Sequence, residues 1–197
     1  MSEAVNSKRH KDYTDEELAA IWVDGPPPQT GHVHVADYDE QWPALYRREA
    51  ARIRELLADK VLLLEHVGST SVPGLAAKPI IDIDLVVADP ADEPAYLPPL
   101  QAAGYRLVIR EPGWDEHRAL KGPDTNVNLH VWRPGSVEVR RHLAFRDWLR
   151  ANETDRTLYA DTKRHLATRE WKYLQNYADA KSDVVTEILA RALANRP

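Results

Sequence analysis

Two short apolar runs, separated by a loop of small polar residues, constrain the fold of this chain most. The first run covers residues 61–64, and the second covers residues 80–87 and carries two aspartates. The loop between them begins Gly68-Ser69-Thr70-Ser71. Short apolar runs bounded by turn residues are typical of buried strands. The stretch therefore predicts a strand, a loop and a second strand, with polar chemistry at the loop and on one strand face.

The two aspartates, Asp82 and Asp84, are two positions apart, so their side chains point to the same face of a strand. Burying two like charges without a partner is costly. A divalent cation removes that cost, and adjacent carboxylates suit Mg²⁺, with Mn²⁺ as an alternative. The pair is therefore predicted to be catalytic and to bind metal. The alternatives are a surface pair on an edge strand and a pair neutralised by arginine.

The loop before the aspartates has the composition of a phosphate cradle. Gly68 lets backbone N–H groups approach an anion closely, and the hydroxyls of Ser69 and Ser71 are additional donors. An ordinary turn is the alternative. With the aspartate pair behind it, the loop indicates a site that positions and neutralises a phosphoryl or nucleotidyl group.

A known signature matches this arrangement. Gly-Ser after a strand, followed about a dozen residues later by Asp-x-Asp, resembles the DNA-polymerase-β-like nucleotidyltransferase superfamily. The longer string, residues 66–75 with Lys78-Pro79-Ile80-Ile81-Asp82, closely resembles the GrpB family, a branch of that superfamily also found fused behind dephospho-CoA kinases. The resemblance covers residues 33–193. It implies an α/β (α+β) fold: a mixed twisted sheet backed by helices, with a helical C-terminal part.

The superfamily usually has a third carboxylate on a later strand, and this chain departs from that pattern. The polar face of the strand predicted at residues 125–132 offers Asn128 and His130 instead. His130 is the candidate general base, because its ordinary pKa is near neutrality. Asn128 is a candidate metal ligand through its oxygen. The alternative is that both side chains only satisfy a polar strand face.

Three lysines are candidate phosphate ligands. Tyr159-x-x-x-Lys163 and Tyr177-x-x-x-Lys181 each place an aromatic ring and a cation on one helix face. Both match the GrpB pattern, and in the superfamily cations of the later helices reach the triphosphate. Solvated helix faces are the ordinary alternative. Lys78 is either a partner of phosphate or of the aspartates, or a solvated loop lysine.

Composition limits the class of protein. A chain of 197 residues with 43% hydrophobic content suffices for one domain with a sizeable core. A net charge of −5 argues against a broad nucleic-acid surface. There is no cysteine, which excludes a thiol nucleophile. No apolar run approaches the ~20 residues that span a bilayer, and no secretory signal opens the chain, so a cytoplasmic protein is expected.

The chain is predicted to divide into an arm and a domain. Residues 1–28 are the arm: a helix at 15–23 that begins after Thr14, followed by a proline linker. The arm is either an appendage or half of a homodimer contact. Residues 29–197 are one domain, with an α/β core at 29–133 and a helical part at 134–197. Further strands are expected at 32–35, 105–109 and 117–121, and further helices from about 37, and at 93–103, 137–150, 155–178 and 183–194.

Two main functions follow as hypotheses. In the first, the protein is an Mg²⁺-dependent nucleotidyltransferase that binds a nucleoside triphosphate and transfers its nucleotidyl group to an unknown acceptor. That acceptor is a small molecule or a protein side chain rather than nucleic acid. In the second, it is a non-catalytic module that binds a nucleotide or a CoA-like ligand, which the missing third carboxylate favours. A structural partner that dimerises is the third reading.

Overall fold

A mixed sheet, which the family resemblance implies, forms the centre of the protein, and it has five strands. The computed structural model describes residues 14–25 and 30–195. In chain order the strands are β1 (Gly31–His32), β2 (Leu63–Val67), β3 (Ile81–Val86), β4 (Arg106–Glu111), β5 (His117–Lys121), β6 (Val127–Trp132) and β7 (Glu170–Trp171). The order in the large sheet is β2-β3-β6-β5-β4, and β1 and β7 form a small separate pair. β3 and β6 are parallel, and their neighbours are antiparallel.

Helices cover both faces of the sheet and make up most of the C-terminal part. They are α1 (Asp15–Ile21), α2 (Trp42–Leu57), α3 (Glu93–Ala102), α4 (Val137–Ala151), α5 (Glu153–Ala167), α6 (Leu174–Asp179) and α7 (Ser182–Ala194). Ser136 caps α4 through its hydroxyl, and the helix matches the one predicted at 137–150. The α/β fold class with a helical C-terminal part is confirmed. Among the described residues, no helix has the length and apolarity needed to cross a membrane.

The two faces of the sheet differ because side chains alternate along each strand. The odd-numbered residues of β3 and β6 form an apolar face that is packed against α2 and α3: Ile81, Ile83, Leu85, Val127, Leu129 and Val131. The even-numbered residues of the same strands, Asp82, Asp84, Asn128 and His130, point to the other face. Registry places Asp82 beside Asn128 and Asp84 beside His130. The fold therefore gathers the predicted polar residues on one surface, where α4 and the later helices meet the sheet.

A buried carboxylate ties α2 to the strands. Glu49 is fully buried, and it accepts hydrogen bonds from Tyr105 Oη at 2.6 Å and Thr125 Oγ1 at 2.9 Å. Arg52 of the same helix binds both oxygens of Asp124 at 2.8 and 2.9 Å. Arg52 and Glu49 therefore join α2 to the segment before β6.

The helix expected at 155–178 is interrupted. α5 ends at Ala167, and the next residues form β7, which pairs Trp171 with Gly31 and Glu170 with His32. No glycine or proline marks this break in the sequence. It arises because β1 supplies a distant pairing partner. α3 matches the helix predicted at 93–103 and continues through Pro98 and Pro99, since its apolar residues pack against the sheet.

The N-terminal helix α1 is docked on the domain rather than free. Leu18 is buried, and the backbone N–H of Val23 donates to the carbonyl of Val108 on β4 at 3.0 Å. The capping box of Thr14 and Glu17 starts the helix, as the sequence suggests. Residues 1–13 and the linker prolines lie outside the described residues, and the arm's role as a dimer contact stays a prediction.

Candidate functional site

Gly68 rests directly on the carboxylate of Asp82. Its backbone has φ +68° and ψ −173°, a region that is essentially restricted to glycine. A Cβ atom at this position would lie 2.4 Å from Asp82 Oδ2. The loop can therefore approach the carboxylate only because residue 68 has no side chain. The hydroxyl of Ser71 donates to the Gly68 carbonyl at 2.6 Å and holds the turn closed.

A cavity of about 140 Å³ opens beside this contact. We call it the lysine pocket, after Lys78, Lys163 and Lys181, which line it together with Gly68, Ser69, Asp82, Asn128 and two tyrosines. The structure thus brings together the glycine–serine loop, the first aspartate and all three candidate lysines, whose phosphate-binding role stays a prediction. Asp84, His130 and Ser71 do not line this cavity.

Aromatic faces position the lysine side chains. Lys163 Nζ lies 4.5 Å from the ring centroid of Tyr159, one turn earlier on α5, and donates to the Ala76 carbonyl. Lys181 Nζ lies 4.6 Å from the Tyr177 ring centroid. Lys78 approaches the same ring from the loop side at 5.4 Å. Cation–π contact holds the ammonium groups of Lys78 and Lys181 without neutralising them.

The lysine pocket holds more positive than negative charge. The lowered pKa values of its lysines show that keeping them charged in this buried place is unfavourable. Burial, with the nearby ammonium group of Lys181, lowers the pKa of Lys78 to about 8 and that of Lys163 to about 6. Burial lowers the pKa of Lys181 to about 8, although the charge of Asp82 opposes that change. Of the residues that the structure describes, Asp82 is the one carboxylate lining the cavity. An anion entering the pocket would offset this unfavourable accumulation of charge.

Asp82 is held from the side by Asn128. The amide nitrogen of Asn128 donates to Asp82 Oδ1 at 2.7 Å, while its oxygen accepts from Lys121 Nζ at 2.5 Å. Because an ammonium group can only donate, Lys121 fixes which end of the Asn128 amide faces Asp82. Burial raises the pKa of Asp82, and the Asn128 bond and the nearby lysines oppose that rise.

Asp84 lies one row further along the strand, and its surroundings differ. It is fully buried, and its two oxygens interact with Trp132 Nε1 at 2.9 Å and His142 Nδ1 at 2.8 Å. Burial raises the pKa of Asp84, but His142 and Trp132 outweigh that effect and hold the pKa below its usual range. His142 was missed by sequence reasoning, because nothing on α4 distinguishes it from a surface histidine.

The arrangement does not fit a magnesium site built from Asp82, Asp84 and Asn128. Both oxygens of Asp84 are engaged, and the oxygen of Asn128 accepts from a lysine. Within residues 14–25 and 30–195, no group of three or more histidine or acidic side chains is placed to hold a metal ion. The predicted metal roles stay predictions that would require a rearrangement of these side chains.

His130, the predicted base, belongs to a different network. Its Nδ1 lies 3.0 Å from Nε2 of His117, whose Nδ1 lies 2.8 Å from Glu111 Oε2. Burial, with the neighbouring His117, lowers the pKa of His130 to about 3, which makes it a weak base. Ser71, predicted to bind phosphate, uses its hydroxyl within the loop. The roles of both residues therefore remain predictions, and this geometry does not support them.

Comparison with known proteins agrees with the sequence signature. The GrpB family model, described as GrpB protein, matches residues 32–191. The chain is 58% identical over 181 residues to UPF0157 protein BH1888 of Halalkalibacterium halodurans, covering 92% of this chain and 93% of that protein. The crystal structure of conserved protein GrpB from Enterococcus faecalis is similar, with a TM-score of 0.69 and 30% identity, over 82% of this chain and 98% of that one.

A protein named dephospho-CoA kinase, from Mycobacterium tuberculosis, is also related. It is 31% identical over 182 residues, which cover 78% of this chain but 44% of the kinase. The α/β fold, the loop against Asp82 and these matches together define the class of protein. The chain belongs to the GrpB family.

We expect Gly68→Ala to lower the free energy of unfolding by about 1–3 kcal/mol, and to close the lysine pocket, because the new methyl group collides with Asp82. Chemical denaturation measures the loss. Gly113→Ala is the matched control: a Cβ at residue 113 would meet no atom within 4 Å, and its φ is not positive. Equal stability of the two variants would contradict the proposed close approach.

Proposed function

We propose that this protein binds the phosphate groups of a nucleotide or a CoA-like small molecule in the lysine pocket. The observation that carries the proposal is the gathering of Lys78, Lys163 and Lys181 around a cavity with one lining carboxylate. A phosphate dianion matches this excess of donors and positive charge. Gly68 and Ser69 line the same cavity, and their turn lets the backbone approach a bound phosphate closely.

The lysines are suited to an external anion because they have no close acidic partner of their own. Among the described residues, none of the three forms an ion pair with a carboxylate within 4 Å. Their contacts are instead the tyrosine rings and, for Lys163, a backbone carbonyl. Such a set is prearranged to donate hydrogen bonds to a ligand, with little rearrangement on binding.

The class of ligand is supported by the related proteins only in general terms. One relative is named for a kinase acting on dephospho-CoA, and its matching region is about the size of this chain. A phosphorylated ligand of the CoA or nucleotide class is consistent with that relationship. The proposal makes the chain a binding module and does not require it to catalyse a reaction.

Nucleotidyl transfer is the second candidate function. The observation that favours it is the placement of Asp82 and Asp84 on one strand face, with the Gly68–Ser69 loop packed against the first of them. It would require His142 to release Asp84, so that both carboxylates could act at the pocket. The three lysines would then hold the triphosphate.

Lys181→Gln should weaken the binding of ADP and of CoA about ten-fold or more, since a charge-assisted hydrogen bond is lost. Isothermal calorimetry without divalent cations measures the affinity. Lys60→Gln is the matched control, because Lys60 is exposed, donates to the carbonyl of Ala95 and does not line the pocket. Equal affinities of the two variants would exclude the lysine pocket as the ligand site.

The affinity for ADP should fall as the pH rises from 7.5 to 9.5. Lys78 and Lys181, with pKa values of about 8, lose their protons over this range in the free protein. A bound phosphate raises both pKa values, so binding takes up protons and is favoured at lower pH, by about ten-fold over the range. Calorimetry in buffers of different ionisation enthalpy measures the uptake. Proton release, or an affinity that rises with pH, would contradict this.

Release of pyrophosphate from nucleoside triphosphates distinguishes the two candidates. The binding-module proposal predicts no release above the uncatalysed rate, with or without Mg²⁺. Release that needs Mg²⁺ and is lost in Asp84→Asn, with the variant's folding verified by circular dichroism, would favour nucleotidyl transfer. In that case the His142–Asp84 contact would have to open during the reaction.

A further inference from the structure

A second cavity, of about 340 Å³, lies against the same loop segment. We call it the arginine pocket, after Arg47, Arg146 and Arg150, which line it. The lysine pocket uses Gly68, Ser69 and Thr70 of the segment, whereas the arginine pocket uses His66, Ser71 and Pro73. Within the described part of the chain no residue lines both cavities, so they are two separate cavities on either side of one loop segment.

Positive charge dominates the arginine pocket. Among the described residues, Glu65 is the one carboxylate that lines it, and Arg146 binds Glu65 through Nη1 at 2.7 Å. Arg146 also binds Asp147, which lies outside the lining, through Nε at 2.8 Å. Arg150 lies one helical turn after Arg146 on α4, and burial and that neighbouring charge lower its pKa. Arg47 is exposed at the rim and forms no ion pair with the described residues. An anion in this cavity would relieve the repulsion between the guanidinium groups.

The arginines are held in place by backbone oxygens. Arg150 donates from Nε and Nη2 to the Ser71 carbonyl at 3.1 and 2.8 Å, and Arg146 donates to the His66 carbonyl at 3.0 Å. Carboxylates compensate part of their charge: Arg146 is paired with Glu65 and Asp147, and Arg150 Nη1 lies 3.5 Å from Asp147 Oδ1. Both groups are therefore oriented before any ligand arrives, which lowers the entropic cost of binding.

Flat rings form the remaining walls. Tyr46 stacks on His66, with ring centroids 4.7 Å apart and an interplanar angle of 11°. Tyr38, Pro43 and Pro73 complete the apolar lining. These surfaces suit a planar apolar body better than a branched or strongly hydrated one.

His66 adds no charge to this cavity. The Thr70 hydroxyl donates to the Ile80 carbonyl at 3.0 Å, so at 3.1 Å it accepts from His66 Nε2. Nε2 therefore carries the proton, and Nδ1 has the lone pair. Burial and the two α4 arginines lower the pKa of His66 to about 4, and the ring is neutral at physiological pH.

We infer that the arginine pocket is a second ligand site, for a carboxylate or phosphate group attached to a flat apolar ring. Arg47, which has no carboxylate partner among the described residues, recognises the anion together with Arg150, while Arg146 adds positive charge beside them. The tyrosine and proline walls recognise the ring. The inference does not rest on the proposed function, because it uses a different cavity and different cations.

Benzoate and phenyl phosphate are the probes for this site, with benzyl alcohol as the uncharged control. Titration followed by ligand-observed NMR on the full chain should detect binding of at least one anion and weaker binding of the alcohol. Binding of benzoate identifies a carboxylate as sufficient, whereas binding of phenyl phosphate alone identifies phosphate. Absence of binding by both anions, or equal binding of the alcohol, would overturn the inference.

Arg47→Gln should lower the affinity for the anionic probe about three-fold or more, since a partly solvated contact between charges is lost. Arg47 has no ion-pair partner among the described residues, so folding should be preserved. Arg140→Gln on α4 is the matched control, because Arg140 is exposed, donates to the Gly135 carbonyl and does not line the pocket. Equal effects of these two variants would refute the assignment.

Lys181→Gln separates this inference from the function proposed above. It should leave the affinity for benzoate and phenyl phosphate unchanged while lowering the affinity for ADP or CoA. Loss of probe binding in Lys181→Gln would assign the anion to the lysine pocket and overturn the second site. Loss of ADP binding in Arg47→Gln alone would instead count against the proposed function.

Discussion

The close approach of Gly68 to the buried carboxylate of Asp82 is the contact on which the site depends. It brings the loop onto the sheet, and the space beside it becomes the lysine pocket. The carboxylate is in turn oriented by Asn128, whose amide is fixed by Lys121. A side chain at residue 68 would push the loop and the Asp82 carboxylate apart, because a Cβ there would lie 2.4 Å from Asp82 Oδ2.

The two aspartates of β3 lie on the same strand face, but their surroundings change their pKa values in opposite directions. Asp82 faces the lysine pocket, and burial raises its pKa. Asp84 is enclosed by Trp132 and His142, and these donors hold its pKa low. Asp84 therefore links the sheet to α4 in this arrangement, since a buried carboxylate with two good donors is stable where an unpaired one would not be.

The loop segment after β2 is a common wall of two cationic cavities. Arg150 donates to the Ser71 carbonyl, and the Ser71 hydroxyl donates to the Gly68 carbonyl. Ser71 therefore links a residue of the arginine pocket to a residue of the lysine pocket through two hydrogen bonds. The net charge of −5 conceals this local excess of positive charge. Acidic residues elsewhere on the surface account for the difference, so overall charge is a poor guide to the ligands of a small protein.

The sequence by itself determined the strand–loop–strand unit, the common face of Asp82 and Asp84, and the membership of the GrpB family. These are local features: a period of two, a turn that begins with glycine and a continuous motif. It also offered Lys163 and Lys181 as candidates through their spacing from tyrosines. Only the tertiary structure decided which candidates meet, because the contacts join distant segments: His142 reaches Asp84 across 58 positions, and Arg150 reaches Ser71 across 79. Local patterns specify a residue's own backbone and face, whereas its partner is set by how the helices pack on the sheet.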